Sequence, residues 1–270
     1  MILVHGLEGS SDAGYARSLS QAALQRGYAV HRFNLRSCGG TEKICGKALY
    51  HSGQTSDLLA VARQIFLENA RPLILAGFSL GGNVVLKLTG ELGAGANSFM
   101  AGAIAVSTPI DLAACARQLD RAENFVYAYR FVDRLKKRIR LKEGIHPGSF
   151  PLEKLANVRT VYQFDDTFTA PSFGFGTADN YYATQSSNQF LERIRVPTLV
   201  IQAQDDPLIP FSVYRHPAFQ DNDCLTLVTP EHGGHLGFLS QGKPRFWLDG
   251  VLMGWVESLA HSPKHDRLGK

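Results

Sequence analysis

Short apolar runs alternate with longer amphipathic stretches along the chain, and this alternation constrains the fold more than any other feature. The runs contain few polar residues, as expected of strands that are buried on both faces of a sheet. Strands that alternate with helical patterns are typical of βαβ units and a parallel sheet. We therefore predict an α/β fold with strands at 1–4, 29–34, 73–76, 102–106, 198–202 and 224–228.

The longest departure from this alternation is the segment 111–187, which is rich in charged and aromatic residues. Within it, apolar side chains recur at positions 128, 131, 132, 135 and 139, which is a helical spacing. A helical insertion between two strands would lie above the carboxyl ends of the sheet, where α/β proteins bind ligands. We expect one domain over 1–270, with helices on both sheet faces and a cap at about 111–187.

Composition places the chain among ordinary globular proteins. Of its 270 residues, 44% are hydrophobic and 19% are charged, and the formal net charge is +4. These values suit a single hydrophobic core of large size. The positive charge is not gathered into a recognisable nucleic-acid-binding module, so we expect no nucleic-acid partner.

Cysteine usage and hydropathy bear on location. The four cysteines, at positions 38, 45, 115 and 224, have neither metal-ligand spacing nor the density of a disulfide framework. No apolar run reaches the roughly eighteen residues of a transmembrane helix. The first six residues lack the basic region of a signal peptide. We therefore predict a cytoplasmic protein.

The sequence GFSLGG at 77–82 has the G-x-S-x-G pattern of a nucleophile elbow. In such an elbow, a serine sits on a tight turn between a strand and a helix, and its hydroxyl projects above the sheet. The predicted strand 73–76 precedes the pattern, and a helical stretch from Asn83 follows it. This context favours Ser79 as a nucleophile over an idle serine in a structural turn.

A serine needs a base and a supporting acid, which in the α/β-hydrolase fold follow in the order Ser, Asp or Glu, His. Asp205 and Asp206 come directly after the predicted strand 198–202, and we favour Asp206 as the acid. The last predicted strand is followed by the sequence EHGGHLGF, which contains two histidines. His235, beside Gly234, is the preferred base, and His232 is the alternative.

The oxyanion of an acyl-transfer intermediate needs two backbone N–H donors. One donor is expected from Leu80, directly after the nucleophile. The other is expected from Leu7, in the loop HGLEG that follows the first predicted strand. We predict a helix that begins near Ser10 or Asp12 after this loop.

The sequence RLKKRIRLK at 134–142 is the one concentrated basic segment. Its simplest interpretation is a solvated helix face. The alternative is an amphipathic helix that lies on an anionic membrane surface or attracts an acidic substrate.

Taken together, these motifs resemble those of the YheT-like family of α/β-hydrolases, which is related to eukaryotic membrane-associated acylglycerol lipases and phospholipases. The resemblance runs from HGLEGS at 5–10 to GGHLGF at 233–238. Its more distinctive segments are NLRSCGG (34–40), YHSGQTSDL (50–58), GFSLGGN (77–83), FDDTFTAP (164–171) with Tyr181-Tyr182, and AQDDP (203–207).

This resemblance implies a triad of Ser79, Asp206 and His235 and hydrolysis of carboxylic esters. The family normally carries further strands before the segment that begins here, so we expect the amino-terminal strands of the usual fold to be absent. His51, Asp165 and Asp166 belong to the family pattern but not to the triad. We expect the two aspartates to anchor the cap to the core.

The predicted function is a serine esterase or lipase-like enzyme that needs no metal and no organic cofactor. Its substrate would be a small-molecule or lipid ester, with peripheral membrane contact as an option. Three alternatives stay open: thioester or amide cleavage on the same triad, lipid hydrolysis at a membrane surface, and a non-catalytic binding role.

Overall fold

The six apolar runs form one parallel sheet in the computed structural model, which describes residues 1–242 and 245–260. Every neighbouring pair of strands is parallel, and the spatial order is β2-β1-β3-β4-β5-β6. The predicted α/β fold class is thereby confirmed. The strands are β1 (Ile2–Val4), β2 (His31–Phe33), β3 (Leu73–Phe78), β4 (Met100–Val106), β5 (Thr198–Ile201) and β6 (Leu225–Val228).

Helices connect these strands. The α-helices are α1 (Gly14–Leu24), α2 (Ser56–Asn69), α3 (Leu80–Leu92), α4 (Leu112–Leu119), α5 (Phe125–Ile145), α6 (Val161–Phe164), α7 (Ala170–Ser172), α8 (Ala178–Gln185), α9 (Ala218–Asp221) and α10 (Trp247–Ala260). Residues Asp165–Thr169 form a π-helical turn between α6 and α7.

Both faces of the sheet are covered, because successive side chains of a strand point to opposite faces. Leu73 and Leu75 of β3 pack with residues of α2 and α3 on one face. Ile74 and Ala76 pack with residues of α1 and α10 on the other face. This two-sided burial explains why β3 is a continuous apolar run.

The first predicted helix begins later than expected. Helix α1 begins at Gly14 rather than near Ser10 or Asp12. The intervening residues form a turn, in which the amide of Ala13 donates to the carbonyl of Ser10 over 3.1 Å. Strand β2 also differs from the expected buried strand, because His31 and Arg32 are exposed at the edge of the sheet.

Helices α4 to α8 lie between β4 and β5. The predicted apolar stripe on α5 faces inward, since Val132, Leu135 and Ile139 are buried in one cluster with Phe164 and Phe168. These helices form much of the wall of the cavity described below. A single domain over 1–270 with a cap at 111–187 stays a proposal about domain organisation.

The prediction of a solvated face for the basic segment 134–142 is wrong for two of its residues. Arg138 is largely buried and pairs with Glu8. Lys142 is fully buried, and its Nζ donates to the backbone carbonyls of Glu42 and Gly46. Both side chains therefore form contacts inside the protein and do not belong to a solvated helix face. No helix within residues 1–242 and 245–260 is long and apolar enough to cross a bilayer.

Candidate active site

Ser79 lies at a sharp turn between β3 and α3. Its backbone is left-handed, with φ 52°, and α3 begins at the next residue rather than at Asn83. Two neighbouring glycines permit this turn. A Cβ on Gly77 would lie 2.2 Å from the carbonyl oxygen of Gly81, and one on Gly81 would lie 2.4 Å from that of Val4. The turn thus holds Ser79 at the carboxyl edge of the sheet and at the positive end of α3.

The structure brings Ser79, His235 and Asp206 into one hydrogen-bonded line. His235 Nε2 lies 3.1 Å from Ser79 Oγ, and His235 Nδ1 lies 2.9 Å from Asp206 Oδ2. These three residues come from the loops after β3, β6 and β5. Parallel strands end at one edge of a sheet, so their loops meet there although Ser79 and His235 are 156 positions apart.

The Asp206 carboxylate is fully buried and held from several sides. Its Oδ1 accepts from the amides of Leu208 and Ile209 over 2.9 and 3.2 Å. Its Oδ2 accepts from the side-chain amide of Gln202 over 3.1 Å. Such bonds fix the carboxylate so that it can orient the imidazole of His235.

The rival pair, Asp205 and His232, lies outside this line. His232 is 87% exposed, and its Nδ1 lies 3.4 Å from Asp205. Asp205 accepts instead from the amides of Gly233 and Gly234 over 2.9 and 2.8 Å. These bonds, led by the one from Gly234, lower the pKa of the Asp205 carboxyl. Asp205 therefore braces the loop that carries His235.

Leu7 and Leu80, the predicted oxyanion donors, lie beside Ser79. Both line the same cavity as Ser79 and His235. A Cβ on Gly6 would lie 3.0 Å from Ser79 Cβ, so a larger residue at this position would press on the turn that holds Ser79. The amides of Leu7 and Leu80 have no acceptor in the part of the chain that the structure describes. Both are free to bind a developing oxyanion.

A buried ion pair fixes the loop of Leu7. Glu8 has a left-handed backbone, with φ 54°, and its carboxylate accepts two bonds from Arg138 of α5, over 2.6 and 3.0 Å. The Tyr50 hydroxyl accepts from the Glu8 amide and donates to the Glu8 carboxylate, each over 2.8 Å. Because Glu8 follows Leu7 in the chain, these contacts restrict the loop that carries the Leu7 amide.

Asn83, one turn along α3 from Ser79, joins three parts of the molecule. Its Nδ2 donates to the carbonyls of Ser52 and Gln185, each over 2.9 Å. Its Oδ1 accepts from the amide of Ser187 over 2.8 Å. The residue is fully buried. It thereby ties the elbow helix to the loop before α2 and to the end of α8.

A cavity of about 120 Å³ extends from Ser79 beneath the helices between β4 and β5. Its walls are mostly apolar, and a wider surface groove reaches Ser79 and His235 from outside. By a measure in which one water needs about 10–15 Å³, the cavity has room for a chain of several carbon atoms. Apolar wall residues from the insertion include Leu112, Leu119, Phe131, Leu135, Val161 and Phe164.

His51 also lines this cavity but stands apart from the triad. Its ring packs against Phe173, Phe175 and Tyr181, with centroids 4.5 to 5.8 Å apart. Its Nδ1 accepts from the amide of Gly53 over 3.2 Å. Burial, with a smaller contribution from Lys87, lowers the pKa of His51 to about 4. His51 is therefore a neutral packing residue near neutral pH.

The expectation that Asp165 and Asp166 anchor the cap to the core is wrong. Asp165 accepts from the Tyr182 hydroxyl over 2.7 Å, and Asp166 accepts from the amide of Ala178 over 2.9 Å. Both partners belong to α8, so these bonds hold the insertion together internally. Asp165 additionally lines the cavity.

Sequence reasoning missed the residues that support the site. Glu8, Tyr50 and Arg138 lie on three separate segments, and their pairing has no signature in local spacing. Gln202 closes a predicted strand, so its contact with Asp206 was likewise hidden. Asn83 lies within the family segment 77–83, which is the signal that could have drawn attention to it.

Comparison with known proteins places this architecture in a family. Residues 1–241 match the family described as "alpha/beta hydrolase fold". YheT of Escherichia coli (strain K12) is 34% identical over 95% of this chain, which spans 76% of that protein. The chain belongs to the α/β-hydrolase fold family, and the resemblance to YheT is confirmed.

Two further comparisons give the range of relatives. Mouse phospholipase ABHD3 is 27% identical over 96% of this chain, which spans 63% of that protein's length. The Pyrococcus furiosus esterase Pf2001 superposes with a TM-score of 0.61 at 17% identity, over 95% of this chain and 81% of the esterase. The esterase structure supports the fold alone.

Proposed function

We propose that the chain is a serine hydrolase that cleaves carboxylic esters through an acyl-enzyme on Ser79. The observation that carries this proposal is the line from Ser79 Oγ through both ring nitrogens of His235 to Asp206. YheT, whose name describes an esterase, and the mouse phospholipase ABHD3 support ester substrates. A cytoplasmic location, inferred from the cysteine pattern, stays a prediction.

In the first half-reaction, Ser79 Oγ attacks the ester carbonyl carbon while His235 Nε2 accepts the hydroxyl proton. The oxyanion accepts hydrogen bonds from the Leu7 and Leu80 amides. The bond between the carbonyl carbon and the alcohol oxygen then breaks, and His235 donates its proton to the departing alcohol. Asp206 holds the tautomer with a proton on Nδ1 and stabilises the imidazolium.

In the second half-reaction, water attacks the acyl-enzyme and gives a proton to His235. The bond to Ser79 Oγ breaks, the carboxylic acid leaves, and the proton returns to Ser79. The apolar cavity would hold one substituent of the ester, with affinity drawn from burial of its hydrocarbon surface. This geometry suits small-molecule esters and single chains of lipid esters.

The test is hydrolysis of p-nitrophenyl esters from acetate to decanoate. Ser79→Ala should lower kcat/KM by at least about 10⁴-fold, since it removes the nucleophile. Its melting temperature should stay close to that of the wild type. Matching thioesters and anilides in the same panel decide which leaving group the site prefers. Equal rates in wild type and Ser79→Ala would contradict the proposal, and a folded but inactive wild type would favour a binding protein.

A second candidate is lipid hydrolysis at a membrane surface, and the outer face of α5 favours it. Phe125 and Tyr129 are 70% and 73% exposed, with the exposed Arg130 beside them. Aromatic and basic side chains on one helix are typical of helices that lie on anionic bilayers. The same helix borders the groove that leads to Ser79 through Phe131.

Vesicle co-sedimentation separates this candidate from an esterase that works free of membranes. Vesicles of phosphatidylcholine with phosphatidylserine should bind the wild type and release the Phe125→Ser/Tyr129→Ser variant. Leu67→Ser is the matched control, because Leu67 is 76% exposed on α2. Equal sedimentation of all three proteins would argue against docking through α5.

A further inference from the structure

A small polar cluster interrupts the apolar wall of the cavity. It consists of Asp165, Thr169 and Tyr182, all of which line the same cavity as Ser79. Tyr182 and Thr169 are buried, and Asp165 keeps some accessible surface. The triad and the oxyanion donors make no use of these three side chains.

The backbone at this cluster is unusual. Residues Asp165–Thr169 form a π-helical turn between two short α-helices. π-Helical turns are rare in proteins, and those that occur are often found at functional sites. Here the turn places both of its terminal residues, Asp165 and Thr169, on the cavity wall. Phe168, inside the turn, is buried instead in an apolar cluster with Val132, Leu135 and Ile139 of α5.

The Asp165 carboxylate has acceptor capacity to spare. A carboxylate can accept about four hydrogen bonds. Its neighbours with donors are the hydroxyls of Tyr182, at 2.7 Å, and Thr169. Arg138 lines the same cavity, but its guanidinium is committed to Glu8. Across the described residues, Asp165 forms no ion pair that would consume its remaining lone pairs.

Retaining this carboxylate costs stability. Burial, against smaller opposing effects of Thr169 and Tyr182, raises the pKa of Asp165 to about 6. A carboxylate in apolar surroundings is costly unless its hydrogen-bonding needs are met. Features that cost stability and keep unused hydrogen-bonding capacity are typical of binding sites.

We propose that Asp165 and Tyr182 form a polar subsite that binds a hydroxyl group on the part of the ester inside the cavity. The hydroxyl donates to Asp165, and an all-carbon substituent leaves the carboxylate without that partner. The subsite rests on the proposed function in one respect, because the ester carbonyl must lie at Ser79.

The charge and the walls of the cavity narrow the ligand class. An anionic group would meet the Asp165 carboxylate and be repelled. A cationic group would have to cross the apolar wall without its hydration, which is costly. A hydroxyl carries no charge, donates one bond, and matches a site that offers acceptors in an apolar cavity.

The experiment uses two series of paired esters. Methyl hexanoate, octanoate and decanoate are compared with their ω-hydroxy forms, which place the hydroxyl on the acyl side. Hexyl, octyl and decyl acetate are compared with the corresponding diol monoacetates, which place it on the alcohol side. Acid release by pH-stat gives kcat/KM for each pair with the full chain.

The hydroxylated member of at least one pair should be preferred by about ten- to a hundredfold, as expected for a hydrogen bond to a charged group. Asp165→Leu should reduce that ratio to about one, and Tyr182→Phe should lower it. Asp166→Asn is the matched control, since the neighbouring carboxylate is exposed and, within the described part of the chain, accepts a bond from the amide of Ala178 alone. It should keep the wild-type ratio.

Absence of preference in every pair, or a preference that survives in Asp165→Leu, would overturn the subsite. If Asp165→Leu does not fold, Asp165→Asn decides, with an expected loss of at least about threefold in the ratio. A series of ω-amino esters tests whether the subsite prefers an ammonium group. A stronger preference for the ω-amino esters than for the ω-hydroxy esters would also overturn the proposal.

Binding to Ser79→Ala, measured by calorimetry with the same esters, separates this proposal from the proposed function. If the wild type does not turn over any ester, only the proposed function is contradicted. The difference in affinity between hydroxylated and plain esters would still test the subsite. Turnover without any preference would contradict the subsite alone.

Discussion

The imidazole of His235 lies between a carboxylate oxygen of Asp206 and the hydroxyl oxygen of Ser79. Its Nδ1 faces the buried carboxylate of Asp206, while its Nε2 faces the hydroxyl of Ser79. A neutral imidazole must carry its proton on Nδ1 to act as a base through Nε2. The carboxylate favours that tautomer, which supports the proposal of His235 rather than His232 as the base.

Replacement of His235 by Ala should therefore lower kcat/KM for p-nitrophenyl esters by at least about 10³-fold. His232→Ala is the matched control and should stay within about threefold of wild type, because the His232 ring is exposed and, among the described residues, its polar contact is with Asp205. Steady-state kinetics at pH 8 measure both. A larger loss in His232→Ala than in His235→Ala would reverse the assignment of the base.

We propose that Arg138 positions the Leu7 amide, although it is remote from the reacting atoms. Its guanidinium holds Glu8, and Glu8 adjoins the Leu7 amide. Arg138→Met should lower kcat by about 10–100-fold with little change in KM, because a donor that binds the transition state is displaced. Arg140→Met, an exposed neighbour on α5, should behave as wild type.

Breaking this buried pair from one side should also cost about 3 kcal/mol of unfolding free energy. Kinetics are therefore measured well below the melting temperature of the variant. A higher KM with an unchanged kcat would contradict a positioning role for Arg138.

Asp165 should make the stability of the protein depend on pH. Its folded pKa of about 6 lies above the usual value of 3.8, so the folded state binds the proton more tightly. The contribution of Asp165 is thus most favourable below about pH 4 and is lost as pH rises towards 6. The stability of Asp165→Asn relative to wild type should increase over this window by on the order of 2 kcal/mol, then level off.

Urea unfolding of both proteins from pH 4 to 8 measures this difference, with Asp166→Asn as the control. A difference that is flat with pH, or that grows as pH falls, would contradict the raised pKa of Asp165.

At the scale of elements, Asn83 connects α3 to the segments around it. Its amide makes three hydrogen bonds to backbone groups of Ser52, Gln185 and Ser187. Asn83→Ala should lower the free energy of unfolding by about 2–4 kcal/mol, because buried backbone groups lose their partners. Asn97, an exposed asparagine that also bonds two carbonyls, supplies the control, and Asn97→Ala should lose less than about 1 kcal/mol.

Urea unfolding measures both variants. An equal loss in the two asparagine variants would show that the Asn83 contacts add nothing beyond a surface hydrogen bond.

The core elements were predictable because their residues carry local patterns. Strand β3 is a continuous apolar run, and the glycines around Ser79 indicate that backbone segments approach each other closely. The start of α1 was predicted less well, because a turn separates Ser10 from Gly14. Boundaries depend on single bonds, whereas the existence of an element depends on many residues.

The supporting contacts were not predictable for a physical reason. Arg138 and Lys142 belong to a run of basic residues, and local charge favours solvent. Their burial depends on acceptors contributed by Glu8, Glu42 and Gly46, which are about a hundred or more positions away. Asp165 also depends on Tyr182 of another helix. Only tertiary structure brings such partners together.

For the whole molecule, the parallel sheet is what assembles the site. Ser79, Asp206 and His235 each follow a strand, and all these strands end at one edge. The helices between β4 and β5 close over that edge and leave an apolar cavity beside the serine. We propose that this assembly makes Ser79 an activated nucleophile.

Labelling with a fluorophosphonate probe tests whether Ser79 is activated, because the probe reacts with activated serines. The substrate of the enzyme need not be known for this experiment. Peptide mapping of the labelled wild type should place the adduct on Ser79, with no adduct in Ser79→Ala and slow labelling in His235→Ala. A folded wild type that stays unlabelled, or an adduct on another residue that persists in Ser79→Ala, would contradict the assignment of Ser79 as the nucleophile.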